Sequence, residues 1–225
     1  MHRYAKMLAD YCKSNFIVEP ISVEHYQSLS VCILDCIYSL RAVYETMTLP
    51  VVDRYAEKYM HGNRKAAGDT ISDLLNHIEA EGGPKAFADH VLKNHQKIGG
   101  KNAVPKEEVC YKLAQYLKLL QIETMEDFRQ FESPELLEIV IRSVKGMGDA
   151  GTNYLFMLAG DANRCKPDVH LHRCITDACG EGVSNEECQV LFTDTVSLMK
   201  DEFPFLTVAV LDNIIWKYFR KRKTT

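Results

Sequence analysis

No uninterrupted apolar run in this chain approaches the ~20 residues that a membrane-spanning helix needs. Polar side chains interrupt the two longest candidates, Asp35 in the first and Asp212 and Asn213 in the second. The N-terminal residues also lack the pattern of a secretory signal. We therefore expect a soluble protein that has no membrane partner and lies in the cytoplasm or with the nucleoid.

The sequence contains no C-x-x-C pair, although it has eight cysteines. They are scattered and often stand in apolar segments, which predicts reduced thiols rather than a disulfide framework or a zinc site. The sequence has no excess of basic over acidic residues either, since its formal net charge is −4. That balance argues against a histone-like coat protein but allows a local basic surface, since electrostatic steering depends on where charges lie.

Strand-like alternation, internal repeats and low-complexity segments are absent as well. Helix starts recur instead, with a Ser, Thr or Asp cap or a proline before an apolar stripe at 3.6-residue spacing. The most apolar segment predicts one long helix over His25–Thr48, and Ser133-Pro134 begins another that leads to Val144. The sequence predicts an all-α protein, and its 225 residues suffice for one core or two small lobes.

The segment from Ser143 to Arg173 is the most informative part of the chain. Gly146, Gly148 and Gly151 form a hairpin between two predicted helices, where glycines let backbone amides approach an anion at a helix start. They also match the G-x-G-x-x-G dinucleotide fingerprint, but that fingerprint requires a preceding strand, and this segment is helical. A glycine corner that only permits close helix packing is the alternative.

A single acid follows the hairpin and begins the next predicted helix. This acid is Asp168, in the run Asp168-Val169-His170-Leu171-His172-Arg173. The dipole and free amides of a helix start favour the ionised form of an acid, which suits a group that activates water. The alternative is a plain N-cap that stabilises its helix by about 1 kcal/mol.

The hairpin and the Asp-x-His-x-x-Arg run together resemble the helix-hairpin-helix DNA glycosylases. The resemblance implies two helical lobes with a cleft between them. Residues 26–160 would form a six-helix lobe that ends in the hairpin and its second helix, and residues 1–25 with 161–225 would form the other lobe. Asp168 would lie at their junction and face a DNA-binding groove.

The implied activity is hydrolysis of the N-glycosidic bond of a flipped base by water that Asp168 activates. Bifunctional members of the family carry a nucleophilic lysine where this chain has Ala150, so we expect a monofunctional enzyme without lyase chemistry. Bacterial proteins of this general kind have been linked to phage defence, which adds a modified pyrimidine to oxidative or alkylation damage as a substrate. The alternative is a non-catalytic helix-hairpin-helix DNA-binding protein.

By resemblance, the hairpin would bind double-stranded DNA, and the backbone carbonyls of Val144 and Met147 would bind a monovalent cation, Na+ or K+. The other residues expected to contact DNA are Lys145, Gly146, Gly148, Ala150, Gly151, Gln96, Lys97 and Arg173. Asp149 departs from the family pattern, because a carboxylate near the hairpin repels phosphate.

The first long helix would supply the pocket for the flipped base, from Asp35, Tyr38, Ser39 and Tyr44. Asp35 is the most informative of these, because an acid within so apolar a face requires partners. We expect a monomer that requires no cofactor. No iron–sulfur cluster is expected either, because the spacing of the last four cysteines does not match the family's cluster motif.

Overall fold

The computed structural model describes residues 1–20 and 25–221. The helices are α1 (Ala5–Asn15), α2 (Leu29–Ser39), α3 (Leu49–Tyr59), α4 (Ile71–Ala80), α5 (Pro84–Phe87), α6 (Lys106–Leu119), α7 (Met125–Arg129), α8 (Pro134–Ser143), α9 (Gly148–Leu158), α10 (Val169–Cys179), α11 (Asn185–Met199) and α12 (Val208–Lys221). Two π-helical segments, π1 (Tyr44–Thr48) and π2 (Ala88–Leu92), continue into or from α-helices. The all-α prediction is confirmed at this level.

Two short strands depart from that prediction. β1 (Lys97–Ile98) pairs antiparallel with β2 (Val104–Pro105), in the register Lys97 to Pro105 and Ile98 to Val104. Strands of this length leave no alternation in the sequence, so periodicity does not detect them.

The chain divides into two compact units, each with its own hydrophobic core. The central unit comprises His25–Gly160, and the terminal unit comprises Met1–Glu24 with Asp161–Thr225. In the central unit, every residue of α2 is buried, and this helix packs against α3, α6 and α9. The hydroxyl of Ser28 caps α2 by accepting a hydrogen bond from the amide of Val31 at 3.1 Å.

The long helix predicted over His25–Thr48 was wrong in its extent. α2 ends at Ser39, Arg41 adopts a left-handed conformation with φ of 54°, and π1 follows. The Ser39 hydroxyl donates to the carbonyl of Cys36 at 2.8 Å, a local bond that competes with helix continuation. After this break the chain reverses direction, and the hydroxyl of Tyr44 in π1 donates a hydrogen bond to Asp35 of α2.

In the terminal unit, α1 packs against α10 and α11, and α12 packs against the same two helices. Their buried faces share a core that includes Leu8, Phe192 and Phe219, all fully buried. This packing fixes the start of α10, which carries Asp168. Among the described residues, no helix is both long and apolar enough to cross a membrane.

Candidate functional site

Asp168 is the N-cap residue of α10. Its Oδ1 accepts hydrogen bonds from the amides of His170 at 2.8 Å and Leu171 at 3.2 Å. The side chain is partly exposed, and its Oδ2 accepts no hydrogen bond from residues 1–20 or 25–221. The helix start therefore fixes one oxygen of the carboxylate, and the other can accept a proton or a hydrogen bond from water.

A second carboxylate, Asp212 of α12, lies near Asp168 and is only 5% exposed. Its Oδ2 accepts a hydrogen bond from the amide of Lys166 at 2.6 Å, and the carbonyl of Lys166 accepts one from the amide of Asp168 at 2.7 Å. Burial, and then the charge of Asp168, raise the pKa of Asp212 to about 8. The Asp212 carboxyl therefore holds its proton at neutral pH.

Two polar residues of the Asp168 run, His170 and Arg173, hold α10 against α12. The ring of His170 stacks on Phe219 with centroids 6.5 Å apart, and the Arg173 guanidinium lies 5.1 Å from the centroid of the same ring. Nε of Arg173 also lies 3.9 Å from Asp177. Because the Arg173 side chain is 52% exposed, its predicted contact with DNA stays open to test.

The two hairpin glycines between α8 and α9 have different surroundings. Gly146 and Gly148 both have positive φ, 111° and 52°, which favours glycine. A Cβ at Gly146 would lie 3.1 Å from Cγ2 of Val109, whereas a Cβ at Gly148 would meet no heavy atom within 4 Å. Gly146 therefore permits packing, and Gly148 leaves open space at the first turn of α9, where helix amides lack helical partners.

Gly151 does not belong with the residues expected to contact DNA. It is buried, and a Cβ there would lie 3.2 Å from Cδ1 of Leu40. This glycine lets α9 approach the end of α2 closely, so its role is packing. Ala150, one position earlier, is partly exposed in the first turn of α9.

The charge of Asp149 is paired. Arg142 places Nη1 2.8 Å from Oδ1 of Asp149, and its Nη2 donates to Glu138 at 2.7 Å. The repulsion between Asp149 and a phosphate is therefore reduced. Lys145 is exposed and forms no ion pair within the described part of the chain, so it adds an available positive charge beside the hairpin.

The two carbonyls predicted to bind a cation take part in turn and helix bonds. The Val144 carbonyl accepts from the amide of Met147 at 3.0 Å, and the Met147 carbonyl accepts from the amide of Gly151 at 3.1 Å. Each keeps a second lone pair, which a Na+ or K+ ion would need. This cation site stays a prediction.

In the predicted base pocket, Asp35 is the centre of a tyrosine cluster. Asp35 is fully buried, and its carboxylate accepts hydrogen bonds from the hydroxyls of Tyr26 at 2.8 Å, Tyr44 at 2.6 Å and Tyr154 at 3.0 Å. Burial, with the charge of Asp35, raises the pKa of all three tyrosines, so they stay protonated donors. All three rings are partly exposed.

Tyr38 and Ser39 do not join this cluster. Tyr38 is fully buried, its hydroxyl has no hydrogen-bond partner among the described residues, and its ring lies 5.6 Å from the ammonium of Lys106. Ser39 is buried and donates to the backbone, as described above. Both face the core of the central unit because α2 is buried on all sides, so we remove them from the candidate pocket.

Gln96 and Lys97 lie at the start of the β1–β2 hairpin. The Gln96 side chain is partly buried, and its Oε1 accepts a hydrogen bond from Nζ of Lys106 at 2.9 Å. Lys106 is only 1% exposed and also donates to the carbonyl of Tyr38 at 2.8 Å. Oε1 of Gln96 is therefore occupied within the protein, and the contact of Gln96 with DNA stays a prediction. The exposed Lys97 can contact a DNA backbone.

Sequence reasoning missed Tyr26, Tyr154, Arg142 and Lys106. Tyr154 follows the hairpin closely, and its polar hydroxyl on the apolar stripe of α9 was a usable signal. Lys106 gave none, because a lysine just after a proline at a helix start is typical of an exposed first turn.

The described residues show neither a disulfide nor a cluster of metal-binding side chains. No disulfide joins any of the eight cysteines, all of which lie in the described part of the chain. In the same residues, no group of three or more His, Cys, Asp or Glu side chains is arranged to hold a metal ion.

Residues 6–220 match the model of a protein family described as Domain of unknown function (DUF8548). No curated protein and no solved structure matches the chain. The description of the family assigns no activity, so a function has to be argued from the side chains themselves.

Proposed function

We propose that this chain, which belongs to the family described as Domain of unknown function (DUF8548), is a monofunctional DNA glycosylase. In this proposal it has a helix-hairpin-helix glycosylase architecture and acts as a monomer on double-stranded DNA, in the cytoplasm or with the nucleoid. It hydrolyses the N-glycosidic bond of a flipped, damaged or modified nucleotide. A modified pyrimidine, as in phage DNA, is one substrate class, beside oxidised or alkylated bases.

The observation that carries the proposal is the asymmetry of the Asp168 carboxylate. The helix start orients this group through Oδ1, and Oδ2 accepts no hydrogen bond from the described residues. A carboxylate with one fixed and one available oxygen is suited to align and deprotonate a water molecule. The same negative charge stabilises the sugar cation that develops as the glycosidic bond breaks.

Asp212 supports this role from within the protein. Because its pKa is raised to about 8, it is neutral at the pH at which Asp168 would act as a base. A buried acid that keeps its proton beside a second carboxylate is a recurring feature of hydrolytic sites. Asp212 is nearly fully buried and is bonded to the amide of Lys166, so we assign it a positioning role and not a contact with DNA.

The hairpin supplies the proposed grip on the DNA backbone. Gly148 leaves the first turn of α9 open to a phosphate, Arg142 reduces the repulsion from Asp149, and Lys145 adds positive charge. Na+ or K+ at the carbonyls of the hairpin would strengthen the same contact. Other cofactors are not required.

The absence of lyase activity follows from Ala150. A methyl side chain cannot form a Schiff base with the sugar, so the product is an intact strand with an abasic site. Within the proposal, Asp35 with its tyrosines forms the wall against which the flipped base stacks.

A non-catalytic DNA-binding protein is the second candidate. It is favoured by the two amide hydrogen bonds to Asp168, since helix capping accounts for them without any substrate. The hairpin would then bind DNA in the same way, and no base would be released.

The test uses a panel of end-labelled duplexes, each with one oxidised purine, alkylated purine or modified pyrimidine. We expect the wild-type chain to release one class of base, so that duplexes carrying that base show strand breaks, and only after treatment with hot alkali. Asp168→Asn should abolish this release while duplex binding persists. Asp201→Asn is the matched control, because Asp201 is exposed and makes no hydrogen bond or ion pair in the described part of the terminal unit.

The outcomes separate the two candidates. Binding of duplex without release of any base, unchanged by Asp168→Asn, would establish the non-catalytic protein. Strand breaks without alkali would contradict the monofunctional assignment. Equal loss of base release in Asp201→Asn would remove the special role of Asp168.

A further inference from the structure

The central unit contains a depression of about 320 Å³ next to both π-helical segments. Its walls come from Thr46 and Met47 of π1, from Arg54 of α3, and from Lys93–Gln96 after π2. Lys93 adopts a left-handed conformation with φ of 51°, which costs free energy for a residue with a side chain. π-Helical turns and strained residues occur often at binding sites, so this region merits a functional explanation.

The side chains around the depression carry positive charge. Arg54 and Lys93 form no ion pair within the described part of the chain, and no carboxylate lines the depression. The third basic residue, His95, lies 3.2 Å from Asp89. The net charge at the walls therefore favours an anion.

The donors are also held in place. Nη1 of Arg54 donates to the carbonyl of Leu92 at 2.7 Å, which fixes the guanidinium, and its other N–H groups make no hydrogen bond to the described residues. Oε1 of Gln96 accepts from the buried Lys106, so the NH2 group of Gln96 points away from that lysine as a donor.

Asn94 closes the loop onto π1. Its Oδ1 accepts from the amide of Gln96 at 3.0 Å, and its Nδ2 donates to the carbonyl of Met47 at 3.3 Å. The first bond orders the loop itself, and the second ties the loop to π1 across the depression. The arrangement of donors therefore does not depend on a bound ligand.

We propose that this depression binds a phosphate group. Arg54 and Lys93 supply the charge, and the Gln96 amide supplies a neutral donor. A guanidinium fork matches the oxygens of a phosphate, and two nearby cations without acidic partners compensate its charge. The group is either a phosphodiester of the DNA backbone or a phosphate monoester of a free nucleotide, because both present negatively charged phosphoryl oxygens. This site does not depend on base excision.

The first experiment titrates the 15N-labelled full-length chain with sodium phosphate and follows the backbone amides by NMR. Sodium chloride at equal ionic strength is the reference. We expect saturable shifts at Lys93–Gln96 with phosphate and none with chloride. Phosphate shifts that match those with chloride would overturn the proposal.

Variants connect the shifts to the side chains. Lys93→Gln should weaken phosphate binding about tenfold, as expected for loss of one charge-assisted contact. Lys85→Gln is the matched control, because Lys85 is an exposed lysine of the same unit outside the depression. Equal weakening in both variants would overturn the proposal. Arg54→Gln is a second variant. Its phosphate affinity is compared with that of the wild type only if the two unfold at similar temperatures, because Arg54 also binds the Leu92 carbonyl.

A third measurement identifies the source of the phosphate. If it is a DNA phosphodiester, Lys93→Gln lowers the slope of log affinity against log salt, for undamaged duplex, by about 0.9. If it is a free monoester, that slope is unchanged, and a nucleoside monophosphate reproduces the NMR shifts. Base release by the same variants reports separately on Asp168, so failure of the phosphate site and failure of the glycosylase are distinguishable.

Discussion

The backbone of Lys166 joins the two acids of the terminal unit, because its amide donates to Asp212 at 2.6 Å and its carbonyl accepts from the amide of Asp168 at 2.7 Å. This short connection keeps a buried acid close to a partly exposed one. Two like charges so placed in a poorly solvated region repel each other. When Asp212 keeps its proton, both the repulsion and the free-energy cost of burying a charge are removed. The stability contributed by Asp212 therefore depends on pH.

The contribution of Asp212 to the free energy of unfolding should fall as the pH rises from about 4 to about 8. The unfolded chain releases the Asp212 proton near the ordinary value of 3.8, whereas the folded chain holds it up to a pKa of about 8. The folded state then binds the extra proton throughout this window, so each added pH unit lowers its stability by up to about 1.4 kcal/mol. Urea unfolding of the wild type and of Asp212→Asn at several pH values measures the difference.

The Asn variant should lose this slope, so its stability relative to the wild type increases between pH 5 and about pH 8. Asp201→Asn, an exposed acid of the same unit, should follow the wild type at every pH. A constant difference between Asp212→Asn and the wild type across the window would show that Asp212 titrates normally.

Asp168 can be separated into a capping residue and a reactive one. Asparagine caps a helix nearly as well as aspartate, so Asp168→Asn should change the free energy of unfolding by only a few tenths of a kcal/mol, whereas Asp168→Ala should cost about 1 kcal/mol. Both variants should lose base release by roughly a hundredfold or more, because neither retains a carboxylate. Urea unfolding and the alkali assay are run on the same preparations.

Ser184→Ala provides the matched control for this experiment. Ser184 caps α11 in the same unit by accepting from the amide of Glu187, so its loss should also cost about 1 kcal/mol. Base release should persist in that variant. If Ser184→Ala reduced base release as strongly as Asp168→Asn, the effect of Asp168 would be one of stability.

Helix starts were readable from the sequence because their chemistry is local. Thr124 and Ser184 form capping boxes, and Asp168 caps α10 as the sequence suggested. The end of α2 was not readable, because no glycine or proline marks it. The Ser39 hydroxyl bond and the left-handed Arg41 that end this helix depend on how the chain packs afterwards.

The candidate sites were readable only in part. Asp35 was recognisable because an acid within an apolar helix face needs partners, and the Tyr44 hydroxyl is one of the partners that the structure shows. Tyr154 reaches Asp35 only because α9 packs on α2, and neither helix encodes that approach by its own spacing. Whether Asp212 is buried was equally undecidable, since an acid on an amphipathic helix is usually exposed.

The tyrosine cluster around Asp35 should be a main source of stability in the central unit. Tyr154→Phe removes one hydrogen bond to a buried carboxylate and should cost about 1.5–3 kcal/mol. Asp35→Ala leaves three tyrosine hydroxyls without their acceptor and should cost about 3 kcal/mol or more. Urea unfolding measures both.

Tyr116→Phe is the control for the tyrosine series. Tyr116 is partly buried in the same unit, but its hydroxyl makes no hydrogen bond to the described residues, so this change should be nearly neutral. If Tyr154→Phe were as stable as Tyr116→Phe, the hydrogen bond from the Tyr154 hydroxyl to Asp35 would contribute no net stability. Water would then solvate this hydroxyl in the unfolded chain as favourably as Asp35 does in the folded one.

The two hairpin glycines separate packing from DNA binding, because only one of them faces open space. Gly146→Ala should lower the free energy of unfolding by about 2 kcal/mol or more, since φ of 111° is strained for alanine and the new Cβ would lie 3.1 Å from Val109. Gly148→Ala should cost only about 1 kcal/mol, because φ of 52° is the left-handed helical region and the Cβ meets no protein atom within 4 Å.

The methyl group of Gly148→Ala would instead occupy the space in front of the first α9 amides. Duplex affinity should therefore fall more for Gly148→Ala than for the folded fraction of Gly146→Ala. Fluorescence anisotropy at low salt measures this affinity. If Gly148→Ala binds duplex as tightly as the wild type, no phosphate approaches those amides, and both glycines serve the corner between α8 and α9.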